Sequence, residues 1–256
     1  MSKLFWIPII TFALCQSTFF STSIAVIFHK NITWPYISEG GTYPPESCIF
    51  SELINMASVF LGLIIYIRYR QIERLLYHHV SLLEQVARKN VVSLWIGLMA
   101  CIGLSIVANF QLTKLPQVHY FGAFSCFGLG TVYFWFQGFI SYSVRSYTGS
   151  MHMTYARLVL ATICTCNIFV FISTTCTATE IIFNEREPSC RYKETSAMVE
   201  WVMATAFCFF ILSFTSEFKT ITMDRPIILV IRRETRPNLD SSEPSGSIQS
   251  LSIQVT

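Results

Sequence analysis

Six residues that could carry chemistry stand where apolar runs begin or end: Glu52, Asn55, Asn109, Gln111, His119 and Glu200. Glu52, His119 and Glu200 are of the types that exchange protons, and together they could supply acid–base chemistry. No Ser/His/Asp order, metal-ligand cluster or nucleotide-binding loop accompanies them. The sequence therefore points away from an enzyme and asks for no metal and no cofactor. Two other uses remain. The six could line an outward-facing polar cavity that binds a lipid headgroup or other ligand. They could instead bond to one another and hold helices together. Glu52 and Asn55 are three apart and share one helix face. Gln16 and Gln137 sit deeper in the apolar runs. Glu217 and Lys219 read as interfacial charges.

The elements that must position these residues are set by the solvent. The 256-residue chain is 52% hydrophobic and only 13% charged, whereas soluble domains carry about 25% charged residues. Its mean hydropathy is +0.50. A helix needs about 20 apolar residues to cross a bilayer. Such runs fall at roughly Leu4–Phe28, Phe50–Tyr66, Val92–Phe110, Phe121–Val144, Leu158–Ala178 and Ser196–Phe214. Unpaired amides are too costly in lipid for any open structure, so each run predicts a helix. The fold class is an all-α, six-span transmembrane bundle occupying residues 1–219. A first run this long and free of charge reads as an anchor rather than a signal peptide.

Orientation follows from the Lys and Arg residues of the short loops. Lys3, Arg68, Arg70, Arg74, Arg88, Lys89, Arg145, Arg157, Lys219, Arg225, Arg232, Arg233 and Arg236 fall on one side. Only Lys30, Lys114, Arg186, Arg191 and Lys193 fall on the other. The richer side is cytosolic, which puts both termini in the cytosol. It makes 29–49 and 179–195 outer loops, and 67–91 a cytosolic loop. Residues 220–256, rich in Ser at their end, read as a disordered cytosolic tail. The net charge of +3 is too small to argue for nucleic acid. Apolar residues at helical spacing in 68–90 suit either an amphipathic helix on the cytosolic leaflet or a continuation of the second span.

In the first outer loop, Gly40-Gly41 permits a tight turn, and Pro44-Pro45 stiffens the chain after it. Asn31-Ile32-Thr33 matches the glycosylation acceptor pattern, although its closeness to the first span favours an unused site. Seven of the nine cysteines lie within spans and read as small packing residues. Cys48 and Cys190 fall on the outer side, where disulfides are permitted. A Cys48–Cys190 bridge and two separate thiols both fit. Asp224-Arg225-Pro226-Ile227-Ile228-Leu229 has the look of an acidic dileucine sorting signal.

One set of residues matches something known. Pro35-Tyr36-Ile37-Ser38, Gly41-Thr42, Pro44-Pro45-Glu46 and Phe50 resemble the first outer loop of the DRAM family (DNA-damage-regulated autophagy modulators). The likeness continues through Asn55, Arg68-Tyr69, Gly103-Leu104-Ser105-Ile106-Val107-Ala108-Asn109-Phe110-Gln111, His119, Gly122-Ala123, Gln137 and Glu200-Trp201. Cys48 and Tyr133-Phe134-Trp135-Phe136-Gln137 look as much like the transmembrane-150B branch, itself regarded as a macroautophagy modulator. The resemblance implies a non-enzymatic, multi-pass membrane modulator of autophagy. Its expected seat is the lysosomal or endosomal membrane first and the plasma membrane second. Its expected partners are membrane lipids and unidentified membrane or autophagy proteins, with no nucleic acid. A lipid-handling regulator of phospholipid distribution or phosphoinositide signalling is the alternative, and a channel or transporter subunit a weaker one.

Overall fold

In the computed structural model, residues 3–30, 34–77, 83–148, 151–183 and 190–222 are described, with the side chains of 30, 83–84, 148, 174–183 and 190–193 left aside. The described residues contain helices and no strand. The six apolar runs become six helical spans whose most apolar windows have mean hydropathies of 1.2 to 2.3. The helices are α1 (Trp6–Lys30), α2 (Glu46–Tyr77), α3 (Leu83–Asn109), α4 (Pro116–Phe124), α5 (Gly130–Ser143), α6 (Arg145–Thr148), α7 (Met151–Phe183), α8 (Cys190–Leu212) and α9 (Thr215–Phe218). A π-helical segment, Ser125–Leu129, joins α4 to α5 within the fourth span.

The helix ends lie beyond the limits expected from hydropathy. α2 starts at Glu46, inside the 29–49 loop, and continues to Tyr77 before α3 resumes at Leu83. Most of the 67–91 segment is thus helix continuing the second and third spans. Ile72 and Leu76 of that extension are buried with Val86, Ile140 and Val144. Of the two readings of 68–90, the extension packs on its neighbours. The reason is burial: these apolar residues meet α3 and α5, so the leaflet is not needed to cover them.

The bundle's outside is what hydrocarbon requires. Phe28, Val59, Phe121, Phe124 and Phe169 are 64–81% exposed, a density of apolar surface that in water would mark an interaction site. Several polar groups within the spans are turned to local partners. Thr11, Thr18 and Thr22 of α1 each donate a hydroxyl to the carbonyl four residues back, at 2.6–2.8 Å, so α1 can place them against its neighbours without an unpaired group. Ser58 Oγ donates to the Cys101 carbonyl at 2.8 Å, tying α2 to α3, and Trp135 Nε1 donates to Thr165 Oγ1 at 2.9 Å, tying α5 to α7.

Two packed layers form the core. In the outer half, Phe19, Phe50, Ile54, Ala57, Ala204 and Cys208 bring α1, α2 and α8 together. In the inner half, Phe134 lies flat on Phe210, their planes 3° apart, and Phe210 meets Phe214 edge-on. α3 and α4 approach most closely where two glycines face each other. A Cβ on Gly103 would lie 2.6 Å from the Cys126 backbone nitrogen and 2.8 Å from the Gly122 carbonyl. Small residues at such crossings let backbones meet where no water-driven force brings helices together.

Candidate functional site

The first outer loop is an ordered cap. Its residues Ile37–Gly41 wind into a 3₁₀ turn, opened by the Tyr36 N–H donating to Glu39 Oε2 at 3.1 Å. The turn is fastened from α8. Glu200 accepts from the Ile37 N–H at 3.0 Å through one carboxylate oxygen and from the Ser38 N–H at 3.2 Å through the other. Its neighbour Trp201 donates its indole N–H to the Pro35 carbonyl at 3.1 Å. A carboxylate facing the N–H groups of a helical turn is the favourable sense of that dipole. Gly40 has no room for a side chain, since a Cβ there would come within 2.3 Å of Thr22 Oγ1 on α1. Burial raises the pKa of the Tyr36 phenol above its usual value, against an opposing hydrogen bond with Ser196. His29 Nδ1 lies 2.7 Å from Glu46 Oε1 and joins the end of α1 to the start of α2. The Pro44–Pro45 peptide bond is cis.

Beneath this cap the six polar residues fall into separate groups. Asn55 and Asn109 face each other across α2 and α3. Each side-chain amide donates to the other's oxygen at 3.0 Å, while Ser51 and Ser105 hydroxyls donate to the same two oxygens at 3.0 and 2.7 Å. This is interhelical bonding. Glu52 is exposed on α2 outside that network. Gln111 sits in the turn after α3, its carbonyl accepting from the Lys114 and Leu115 N–H groups. His119 is buried, with Nδ1 2.7 Å from the Phe110 carbonyl. A carbonyl can only accept, so Nδ1 carries the proton and Nε2 of the neutral ring presents a lone pair.

His119 and Glu200 are brought together by two cavities whose linings they share. One has a volume of about 100 Å³ and runs down the bundle axis from Ser38, His119 and Glu200, past Ala123, Gly130 and Ala204, to Phe214. The other, of about 190 Å³, lies between α4, α7 and α8 beside Tyr120, Phe124 and Ile172. The loop residue Ser38 borders both.

A second polar centre lies at the opposite end of the bundle. Arg68 and Arg157 are fully buried, and Glu217 is 8% exposed. The Arg157 guanidinium grips both Glu217 oxygens, one of them at 2.8 Å. It also donates to Ser141 Oγ at 2.7 Å, Ser213 Oγ at 2.9 Å and the Ser213 carbonyl at 3.2 Å. Arg68 donates to Gln71 at 2.8 Å, Ser141 at 3.1 Å and Gln137 at 3.2 Å, and its Nη1 lies 3.5 Å from Glu217. Gln137 in turn donates to Ser93 at 3.0 Å. The Phe214 ring lies under both guanidinium groups, 4.3 Å from Arg157 Cζ and 5.5 Å from Arg68 Cζ. Two cations thus share one carboxylate, helped by a ring face and neutral acceptors.

Sequence reasoning missed this knot. Glu217 is no interfacial charge; it is the counter-ion of two arginines from α2 and α7. The hydropathy limits for the second, fifth and sixth spans stop at Tyr66, Leu158 and Phe214, each just short of the charge in question. The available signal was that Arg68 directly follows one apolar run and Arg157 directly precedes another, since an ionisable group at such a place needs a partner when the helix continues through it. Lys219, by contrast, is exposed. Asn31, the side chain of Cys190 and the 224–229 segment lie outside the described residues, while Cys48 is exposed in the first turn of α2.

Six lipid-length helices with a folded cap at one end and a buried ion knot at the other define a multi-pass integral membrane protein. The chain belongs to the Frag1/DRAM/Sfk1 family: residues 3–221 match the family model described as the Frag1/DRAM/Sfk1/Cwh43P N-terminal domain. It is 34% identical over 197 residues to human "DNA damage-regulated autophagy modulator protein 1", covering 76% of this chain and 82% of that protein. It is 31% identical over 218 residues to human "DNA damage-regulated autophagy modulator protein 2", covering 80% and 79%. It is 32% identical over 208 residues to "Modulator of macroautophagy TMEM150B" of Danio rerio, covering 79% and 77%. No solved structure matches the chain.

Proposed function

We propose that this protein modulates autophagy from within a membrane and does so without catalysis. The observation that carries the reading is its similarity, over about three-quarters of the chain, to relatives named as autophagy modulators. The polar groups give it physical support: Asn55, Asn109 and the Arg68–Arg157–Glu217 knot spend their hydrogen bonds on neighbouring helices. Such bonding suits a rigid scaffold that acts through membrane lipids or partner proteins. Lysosomal or endosomal membrane is the proposed seat, with both termini in the cytosol and the 3₁₀ cap on the lumenal side. Roles in phospholipid distribution, phosphoinositide signalling or conduction draw no comparable support, because neither cavity lining includes Lys or Arg among the described residues and the axial one is largely apolar.

The test is deletion of the gene, followed by measurement of autophagic flux in starved cells with and without lysosomal inhibition. Flux is expected to change and to return on re-expression. Unchanged flux would overturn the proposal. Imaging the tagged protein against lysosomal and plasma-membrane markers tests the seat separately.

A further inference from the structure

We infer that the two cavities beneath the cap form one binding site for a neutral, single-chain amphiphile with a hydroxyl-bearing head, of the monoacylglycerol type. This site is independent of the autophagy reading and would stand or fall without it.

The shape specifies the chain. On α8 the axial cavity is bordered from Glu200 to Ile211, about 16.5 Å at 1.5 Å per residue. A volume of about 100 Å³ spread over that length makes a narrow shaft. Its walls below the outer end are Phe, Ile, Leu, Val, Ala, Gly and Cys residues together with Tyr133, and carry few polar atoms. An unbranched hydrocarbon chain fits such a space; a branched or fused-ring body does not. The second cavity gives lateral access, since Tyr120, Phe124 and Ile172 on its border are 45–68% exposed on the lipid-facing side.

The chemistry specifies the head. Where the cavities meet, the Glu200 carboxylate holds the Ile37 and Ser38 N–H groups and the Ser38 hydroxyl, and keeps one further lone pair. His119 offers Nε2 as an acceptor, because its Nδ1 proton is committed to the Phe110 carbonyl. Two acceptors with no Lys or Arg among the described residues of either lining require a head that donates. A phosphate or carboxylate head would meet Glu200 with nothing to neutralise it. Glycerol hydroxyls meet the demand, beside the Ser38 hydroxyl that Glu200 already holds.

The experiment uses the full-length protein in phosphatidylcholine nanodiscs and a 1-acylglycerol carrying a diazirine in its chain. After irradiation, adducts are expected on peptides containing Phe127, Ala204 or Phe207. Excess 1-oleoylglycerol should suppress them at least tenfold, whereas oleic acid and oleoyl lysophosphatidic acid should not. Ala204→Phe, which fills the shaft, and Ala123→Leu, which narrows the junction, should each cut labelling at least tenfold in protein that still elutes as a single species. Having two variants on different helices guards against one failing to fold. Three results would each overturn the inference. The first is labelling confined to outward residues such as Phe28, Val59 and Phe169. The second is equal competition by the anionic lipids. The third is full labelling of either folded variant.

Discussion

The knot of Arg68, Arg157 and Glu217 sets an energetic scale that distinguishes it from ordinary interfacial charge. In Glu217→Gln the shape and one acceptor oxygen are kept, but two buried guanidinium groups lose the one carboxylate that pairs with them among the described residues. An exposed pair is worth at most about 1 kcal/mol. Removing one partner of a buried pair costs about 3–5 kcal/mol. At about 2–4 °C per kcal/mol for a domain of this size, the midpoint should fall by about 6–20 °C. Arg157→Met removes a cation instead and leaves Arg68 and Glu217 balanced, although Ser141 and Ser213 lose a donor. In the double variant Arg68 is left as one uncompensated charge, where Glu217→Gln alone leaves two. Its loss should therefore fall short of the sum of the two single losses by about 0.5–3 kcal/mol. Thermal unfolding of the detergent-solubilised protein, followed by loss of the monodisperse elution peak, reads all three. A midpoint for Glu217→Gln within about 2 °C of the unaltered protein would refute the reasoning, because it corresponds to the energy of a solvated surface charge.

Three further outcomes are expected. Gly103→Val should abolish the folded species or lower its midpoint sharply, since the new Cβ would lie 2.6 Å from the Cys126 backbone nitrogen; overpacking of this kind costs about 1–3 kcal/mol or more, and elution profiles check it. Asn55→Leu and Asn109→Leu should couple by about 0.6 kcal/mol and no more than about 1.7, measured as a double-mutant cycle of unfolding midpoints. Glu200→Ala should leave the Ile37 and Ser38 N–H groups without their carboxylate, so amide exchange across residues 36–42 should rise at least tenfold while exchange in α5 is unchanged.

The six-helix class was legible in the residues alone because the bilayer demands it. A run of about 20 apolar residues has one stable answer in hydrocarbon, and all six runs became spans. A turn in the first outer loop was legible too, through Gly40-Gly41 and the Pro35 to Phe50 pattern. Its fastening was not, because Glu200 is more than 160 residues away in the chain from the N–H groups it holds. The grouping of the outer polar residues was equally out of reach. Depth in the membrane follows from position along a run, but azimuth does not. Asn55 and Asn109 therefore meet, His119 and Glu200 share a cavity, and Glu52 faces outward, though all lie near one level.

The sequence by itself determined the solvent, the number of helices and the family pattern, since these depend on composition and local order. Only the tertiary structure decided where the charges go. Hydropathy ends a span at the first charge, because a lone charge in lipid is too costly to keep. Arg68, Arg157 and Glu217 escape that rule by pairing with one another across three helices, and no reading of one helix at a time contains that fact.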